Sequence, residues 1–447
     1  MIAKALWSGK AVFAVILVLL VAACAPPGGG EEAETTSTPI AAAPEDGEPD
    51  TTEAADDEPA GEAIKVGVIM PLTGTVAANG QDAVDGWNLY WEVNGNTVAG
   101  REIQTFVEDT AGDPATALQK VEQLVGSTEV DMIVGPLLAN VGLAVADRLA
   151  REDVPHFSPT MSADDLTQRN TLDTFVRIGG WTSSQTSHPL GQWAWDQGFR
   201  SVATSCTDYA FGHEMCGGFV NVFTENGGEI VDQLWNPIGT QDFATYATQM
   251  QQLDVDAAFI LQVGADTQRF LQAWQQFGLK DQVELLGGEV LLDQSALRNM
   301  GDEALDLVSA GHWAEGRDAP ETQEFVSLYE EAYGQIPSYY SAGTFTAAQW
   351  IATAIEQLDG DISDQAAFMD TIRSLELEET PFGPQKLDEF GNPVFNVYIR
   401  KVEQRDDGRL WNVVIDTVED VSQFWTFDPE EYLQQPVYSR EFQGGSG

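Results

Sequence analysis

Four histidines, three cysteines and a large excess of carboxylates are the residues of this 447-residue chain whose chemistry could be put to catalytic use. His156, His188, His213 and His312 are scattered, without the short spacings that bring two ligands to one metal, so no metal site is expected. There is no phosphate loop ending in Gly-Lys-Ser/Thr and no His-Glu-x-x-His, and no Gly-x-Ser-x-Gly elbow follows a strand-like run. With these patterns missing, we expect no enzyme, no catalytic residues and no cofactor.

The cysteines carry more information. Lys4 and Lys10 are the only charges before Cys24, and Ala11 to Val21 is an unbroken apolar run. That run is short for a bilayer span and has the charge-then-apolar layout of a secretion signal. It ends in Val21-Ala22-Ala23-Cys24, which resembles a bacterial lipobox. The resemblance implies cleavage before Cys24 and its lipidation, which would anchor the chain on the outer face of the cytoplasmic membrane. The competing reading is an ordinary signal peptide that carries a cysteine. Export permits disulfides, so Cys206 and Cys216 are expected to be bridged, against the alternative of two buried thiols.

Residues 25–62 hold 12 acidic residues, no Lys or Arg and no aromatic residue. Such a segment cannot bury enough apolar surface to offset its ordering entropy and reads as a disordered, extended tether. The whole chain carries a formal charge of −50. That charge repels phosphate backbones and anionic lipid, which excludes a nucleic-acid partner. Self-repulsion of this size favours a saline medium that screens it; an acidic surface kept for solubility is the plainer alternative.

From about Ala63 onward the composition is globular, and the length exceeds what one core usually serves, so two lobes are expected. Ala63 to Met70 is apolar and rich in β-branched residues, the pattern of a strand buried on both faces. Further strands are expected at 101–107, 131–135, 154–157, 201–205, 229–234, 257–261 and 283–286. Helices are expected between them, one of them opened by Pro114. Strict alternation of strand and helix argues for parallel sheets with helices on both faces. Longer helical patterns follow near 319–333 and 342–358, then strands at 395–400 and 410–415.

The chain is similar to the extracellular solute receptors of the leucine/isoleucine/valine-binding type. The matching stretches are Ile64-Lys65-Val66-Gly67-Val68-Ile69 with Pro71-Leu72-Thr73-Gly74, Asp109-Thr110-Ala111-Gly112-Asp113-Pro114, and Ile133-Val134-Gly135-Pro136. Pro155-His156-Phe157-Ser158-Pro159, Tyr209-Ala210-Phe211-Gly212 and Pro381-Phe382-Gly383-Pro384 continue the match in the same order. The resemblance implies the α/β type I periplasmic binding protein fold, two doubly wound parallel-sheet lobes with three hinge crossovers near 180, 310 and 392. Lobe 1 would be 63–180 plus 311–392, and lobe 2 181–310 plus 393–426, with a C-terminal extension at 427–447. It also implies a monomer that captures an amino acid or related small organic ligand and delivers it to ABC transporter permease subunits.

Site residues follow from the same likeness. Relatives hold a ligand carboxylate with a serine after the third strand. Here that position is Ala139, which offers only its N–H; Asn140 either substitutes or caps the helix that starts there. The second hydroxyl position matches Ser162, with the Thr160 carbonyl as an acceptor for an amine. Glu289, after two glycines, is the candidate partner of an ammonium group, or else an exposed loop carboxylate. Asn79, Trp181, Phe211 and Tyr340 complete the expected ligand-binding set; for Trp181 and Tyr340 ordinary packing competes. Ala139 puts a simple branched-chain amino acid in doubt and leaves aromatic or other organic acids, amides and other amino acids open. A sensing subunit of the same fold, coupled to a signalling partner, is the alternative function.

Overall fold

The computed structural model describes residues 61–444. The secretion signal, Cys24 and the tether up to residue 60 lie outside the described residues.

The first sheet contains β1 (Ile64–Met70), β2 (Thr97–Val98), β3 (Arg101–Asp109), β4 (Met132–Val134), β5 (His156–Phe157) and β6 (Phe175–Val176). Their order is β2-β3-β1-β4-β5-β6. All pairs are parallel except β2 with β3. β1 lies between β3 and β4, which is why Val66, Val68 and Ile69 are fully buried and the strand reads as a continuous apolar run. Helices α1 (Ala77–Val93), α2 (Pro114–Gln123) and α3 (Ala139–Ala150) connect these strands. The Asp113 side chain caps α2 by accepting from the Thr116 N–H at 2.8 Å, and Pro114 fills the first turn, where a missing N–H costs nothing.

After β6 the chain enters α4 (Ser187–Asp196) and builds the second sheet. Its strands are β7 (Ser201–Thr207), β8 (Glu229–Asn236), β9 (Ala257–Leu261), β10 (Glu284–Gly287), β11 (Val308–Gly311), β12 (Glu376–Leu377), β13 (Gln385–Leu387), β14 (Pro393–Gln404) and β15 (Leu410–Val421). The order is β12-β13-β14-β11-β10-β9-β7-β8, with β15 on β14. β7 to β11 are parallel, carried by α5 (Ala210–Glu225), α6 (Ala244–Met250), α7 (Ala265–Gln276) and α8 (Gln294–Leu297). β14 and β15 run antiparallel and extend the sheet beyond its parallel part.

Between β11 and β12 lie α9 (Pro320–Tyr333), α10 (Tyr339–Gln357) and α11 (Gln365–Ser374). α10 returns to the first sheet and lies along α1. A Cβ at Gly86 would sit 2.1 Å from the Ser341 carbonyl oxygen, so only glycine allows this approach. The polypeptide therefore passes repeatedly between two α/β lobes.

The C-terminal segment, with α12 (Pro429–Gln434), folds back onto α4 and α5. The Tyr438 ring lies against Gly217, and its hydroxyl accepts from Asn221 Nδ2 at 2.9 Å. Tyr432, Tyr438 and Phe442 thereby join a small aromatic cluster with Phe424.

Antiparallel strands flank the parallel part of each sheet. Strand β11 and helix α11, which had no counterpart in the sequence reading, are formed. Cys206 on β7 and Cys216 on α5 are both free, fully buried thiols, so the expected bridge is absent. Burial first, and then the neighbouring Cys216 thiol, push the Cys206 thiol well above its usual range. A thiol so disfavoured as thiolate is a poor partner for disulfide exchange.

Candidate functional site

The carboxyl ends of the parallel strands of both lobes face each other across a cleft, the place where open α/β sheets bind ligands. A tight cavity of about 20 Å³ lies there, room for little more than a water molecule in this closed arrangement. Its walls follow from topology. Val76 comes after β1, Leu137, Leu138 and Ala139 after β4, and Thr160 and Ser162 after β5. From the second lobe, Tyr209 and Phe211 come after β7, Val263 after β9 and Val290 after β10. Tyr339 and Tyr340 open α10 and close the ring.

No charged side chain lines this space. Its polar groups are hydroxyls. Burial pushes the phenols of Tyr209, Tyr339 and Tyr340 upward, so all three stay protonated and can donate. No side chain caps the first turn of α3 or of α5, whose N-cap residues are Leu138 and Tyr209. Two helix N-termini, one from each lobe, therefore bring unsatisfied N–H groups to the same cavity, an arrangement that favours an anion. Trp181, Phe211 and Tyr339 form an edge-to-face aromatic group beside it, with ring centroids 5.6 and 6.0 Å from Trp181.

The lobes touch around the cavity. Asn79 Nδ2 donates to Ser295 Oγ at 2.9 Å, the Ala265 N–H donates to the Thr75 carbonyl at 3.2 Å, and the Tyr339 N–H donates to Asp293 Oδ2 at 2.9 Å. Asp293 is fully buried, and burial raises its pKa despite these bonds.

Of the residues singled out from sequence, Ala139, Thr160, Ser162, Phe211 and Tyr340 line the cavity. Asn79 stands one layer back, bonded across the cleft. Asn140, second in α3, leaves its side-chain oxygen without a partner, so it does not cap the helix. Trp181 is fully buried behind Phe211 and Tyr339, with its indole N–H unpartnered.

Glu289 departs from the expectation. It does not line the cavity. Its carboxylate turns into the second lobe, where Oε2 accepts from the His312 N–H at 2.9 Å and Oε1 lies 3.5 Å from Arg400 Nη1. Arg400 is fully buried and also donates from Nε to Ser309 Oγ at 3.0 Å. A buried guanidinium without a counter-ion would cost several kcal/mol, so Glu289 is committed to that pair.

Sequence reasoning missed Val76, Tyr209, Val263 and Val290 as wall residues. Each comes just after a parallel strand or at a helix start, so the strand-end rule applied to every strand would have found them. Among the described residues no group of three or more His, Cys, Asp or Glu side chains could hold a metal ion.

Comparison with known proteins agrees with this geometry. The profile of a family described as periplasmic binding protein matches residues 63–409. A curated Leu/Ile/Val-binding protein homolog of Brucella melitensis is 28% identical over 362 residues, covering 80% of this chain and 92% of that protein. An ABC transporter substrate-binding protein from Sphaerobacter thermophilus is 32% identical with a TM-score of 0.76, over 81% of this chain and 99% of that one. A solute binding protein of an ABC transporter from Rhodopseudomonas palustris, solved in complex with 3,4-dihydroxybenzoic acid, is 29% identical with a TM-score of 0.77, over 81% and 98%.

Proposed function

The chain belongs to the periplasmic binding protein family, and on that premise we propose that it is an exported, lipid-anchored receptor for a small aromatic carboxylic acid. It captures the solute between its lobes and delivers it to the permease of an ABC transporter. Export and anchoring rest on the apolar run before Cys24 and on the acidic tether, which would hold the folded part away from the membrane.

One observation carries the choice of ligand. The cavity offers phenol and serine hydroxyls, aliphatic and aromatic walls and two uncapped helix N-termini, but no carboxylate. With the lobes parted enough to admit it, a carboxylate anion can bond to the N–H groups and to Ser162, and a flat ring can lie among Phe211, Tyr209 and Tyr340. An α-amino acid would leave its ammonium without a counter-ion, because Glu289 is engaged with Arg400. The aromatic acid in the Rhodopseudomonas relative supports the same chemistry.

A thermal-shift panel of aromatic acids, their neutral amides and branched-chain amino acids tests this reading. Ligand at about a hundred times its Kd adds about 2.7 kcal/mol of stability, a clear rise in melting temperature. The aromatic acids should give that rise. A rise confined to the amino acids would contradict the proposal.

A further inference from the structure

Behind the cavity wall lies a buried acid that solute contact does not use. Ser162 lines the cleft, and Ser183 stands directly behind it. Around Ser183 Oγ lie three acceptors: Glu214 Oε2 at 2.6 Å, the Ser162 carbonyl at 2.8 Å and Ser162 Oγ at 3.1 Å. One hydroxyl proton can serve only one of them at a time.

The state of Glu214 therefore decides the polarity of the row. An ionised Glu214 accepts the Ser183 hydrogen bond, and Ser162 then turns its own proton back toward Ser183. A protonated Glu214 donates to Ser183 and frees the Ser183 proton for Ser162, and when Ser162 Oγ rather than its carbonyl accepts it, the Ser162 proton points into the cleft. We propose that Glu214 stays in its acid form and, through Ser183, orients the Ser162 hydroxyl as a donor that selects solutes bearing a carboxylate. This inference rests on the reading of the cleft as an acid-binding site and makes Glu214 a positioning residue for it.

The surroundings of Glu214 favour the acid form. It is fully enclosed, and among the described residues it forms no ion pair. Asp164 donates its N–H to Glu214 at 3.3 Å, but its carboxyl, like that of Asp165, repels a second negative charge. Ser183 and Tyr209 are the neutral neighbours. The Arg177 guanidinium feels the Glu214 charge, but its hydrogen bonds go elsewhere, to Asn392 Oδ1 at 2.8 Å and the Met161 carbonyl at 3.3 Å among others. Burial first, and then Asp164, push Glu214 well above the usual carboxyl range, while Asp164 itself rises to about 6.

Two measurements on the full chain test this. The first is infrared spectroscopy at neutral pH, comparing the protein with Glu214→Gln. The protein should show a protonated-carboxyl band that the variant lacks; an ionised Glu214 overturns the proposal whatever the ligand is. The second is calorimetric titration with 3,4-dihydroxybenzoate and its neutral amide over a series of pH values. As Glu214 loses its proton, the acid should bind tenfold or more weakly while the amide changes little. Glu214→Gln, whose amide still donates to Ser183, should keep acid binding and lose this pH dependence. Ser183→Ala should weaken acid over amide at every pH without removing the infrared band. Identical pH profiles in the protein and in both variants overturn the proposal. If neither compound binds at any pH, the aromatic-acid reading fails, and the infrared band still decides the state of Glu214.

Discussion

Arg298 of the second lobe grips Asp82 of the first in a two-pronged ion pair, Nη2 to Oδ2 at 2.5 Å and Nη1 to Oδ1 at 3.0 Å. Asp82 sits on α1, and Arg298 follows α8, so the pair bridges the two lobes. Burial raises the Asp82 carboxyl to about 6 even with the guanidinium beside it. The pair therefore works near the limit at which ionisation is worth its desolvation.

Removing one side of this latch should weaken solute binding rather than folding. Arg298→Ala leaves Asp82 without its partner in the closed state, while in the open state water reaches it. Losing one member of a buried hydrogen-bonded pair costs about 2 kcal/mol or more, or roughly 30-fold in Kd. Calorimetric titration reads this directly. Unchanged affinity would show that the pair does not hold the closed lobes.

Ser162 supplies a hydroxyl to the cavity, and Ser162→Ala removes it with little change in volume. A hydrogen bond to a charged group contributes about 1.5–3 kcal/mol, so Kd for an aromatic acid should rise roughly 10- to 100-fold. The melting temperature of the free protein should stay nearly constant. A large loss of stability with unchanged affinity would assign Ser162 to packing.

Ala139 occupies the site where a larger side chain would intrude on the solute. Ala139→Leu adds three carbons to the wall of an already tight cavity. Binding of aromatic acids should be lost by thermal shift and by calorimetry, with the far-ultraviolet circular dichroism preserved. Retained binding would place the solute elsewhere in the cleft.

His156 makes an acid-sensitive contribution to stability. It is fully buried, its Nε2 lies 2.6 Å from the Gly135 carbonyl, and burial lowers it from 6.5 to about 4. In the unfolded chain it takes up a proton below 6.5, whereas the folded chain resists until about 4. The stability it contributes is complete above 6.5 and is lost as pH falls toward 4, at about 1.4 kcal/mol per pH unit. Denaturant unfolding across this window should show a slope smaller by one proton for His156→Gln. An unchanged slope would mean that His156 titrates alike in both states.

The thiols give a covalent check. Alkylation of the unfolded chain without reductant, followed by peptide mass analysis, should label Cys206 and Cys216 separately. Recovery of the two peptides joined would restore the bridge expected from export.

Much of the first lobe was legible because β1 and its neighbours are buried on both faces and read as apolar runs, and because Asp113 and Pro114 mark a helix start. β11 was not, since Val308-Ser309-Ala310-Gly311 carries no strong strand pattern and is held by its neighbours β10 and β14. At the site, Ser162 and Phe211 could be reached by family likeness. Glu289 could not be settled that way, because the direction of its carboxylate is set by Arg400, 111 residues away along the chain. Glu214 gave no sequence signal either. Only the fold brings it beside Asp164 and Ser183.

On the proposed function, the cleft holds an aromatic carboxylate and lacks a partner for an ammonium group. Calorimetric titration of the full chain with 3,4-dihydroxybenzoate and with leucine tests it most directly. One molecule of the aromatic acid should bind per chain, Ala139→Leu should abolish that binding, and leucine should give no heat. Tight one-to-one binding of leucine with none of the aromatic acid would contradict it.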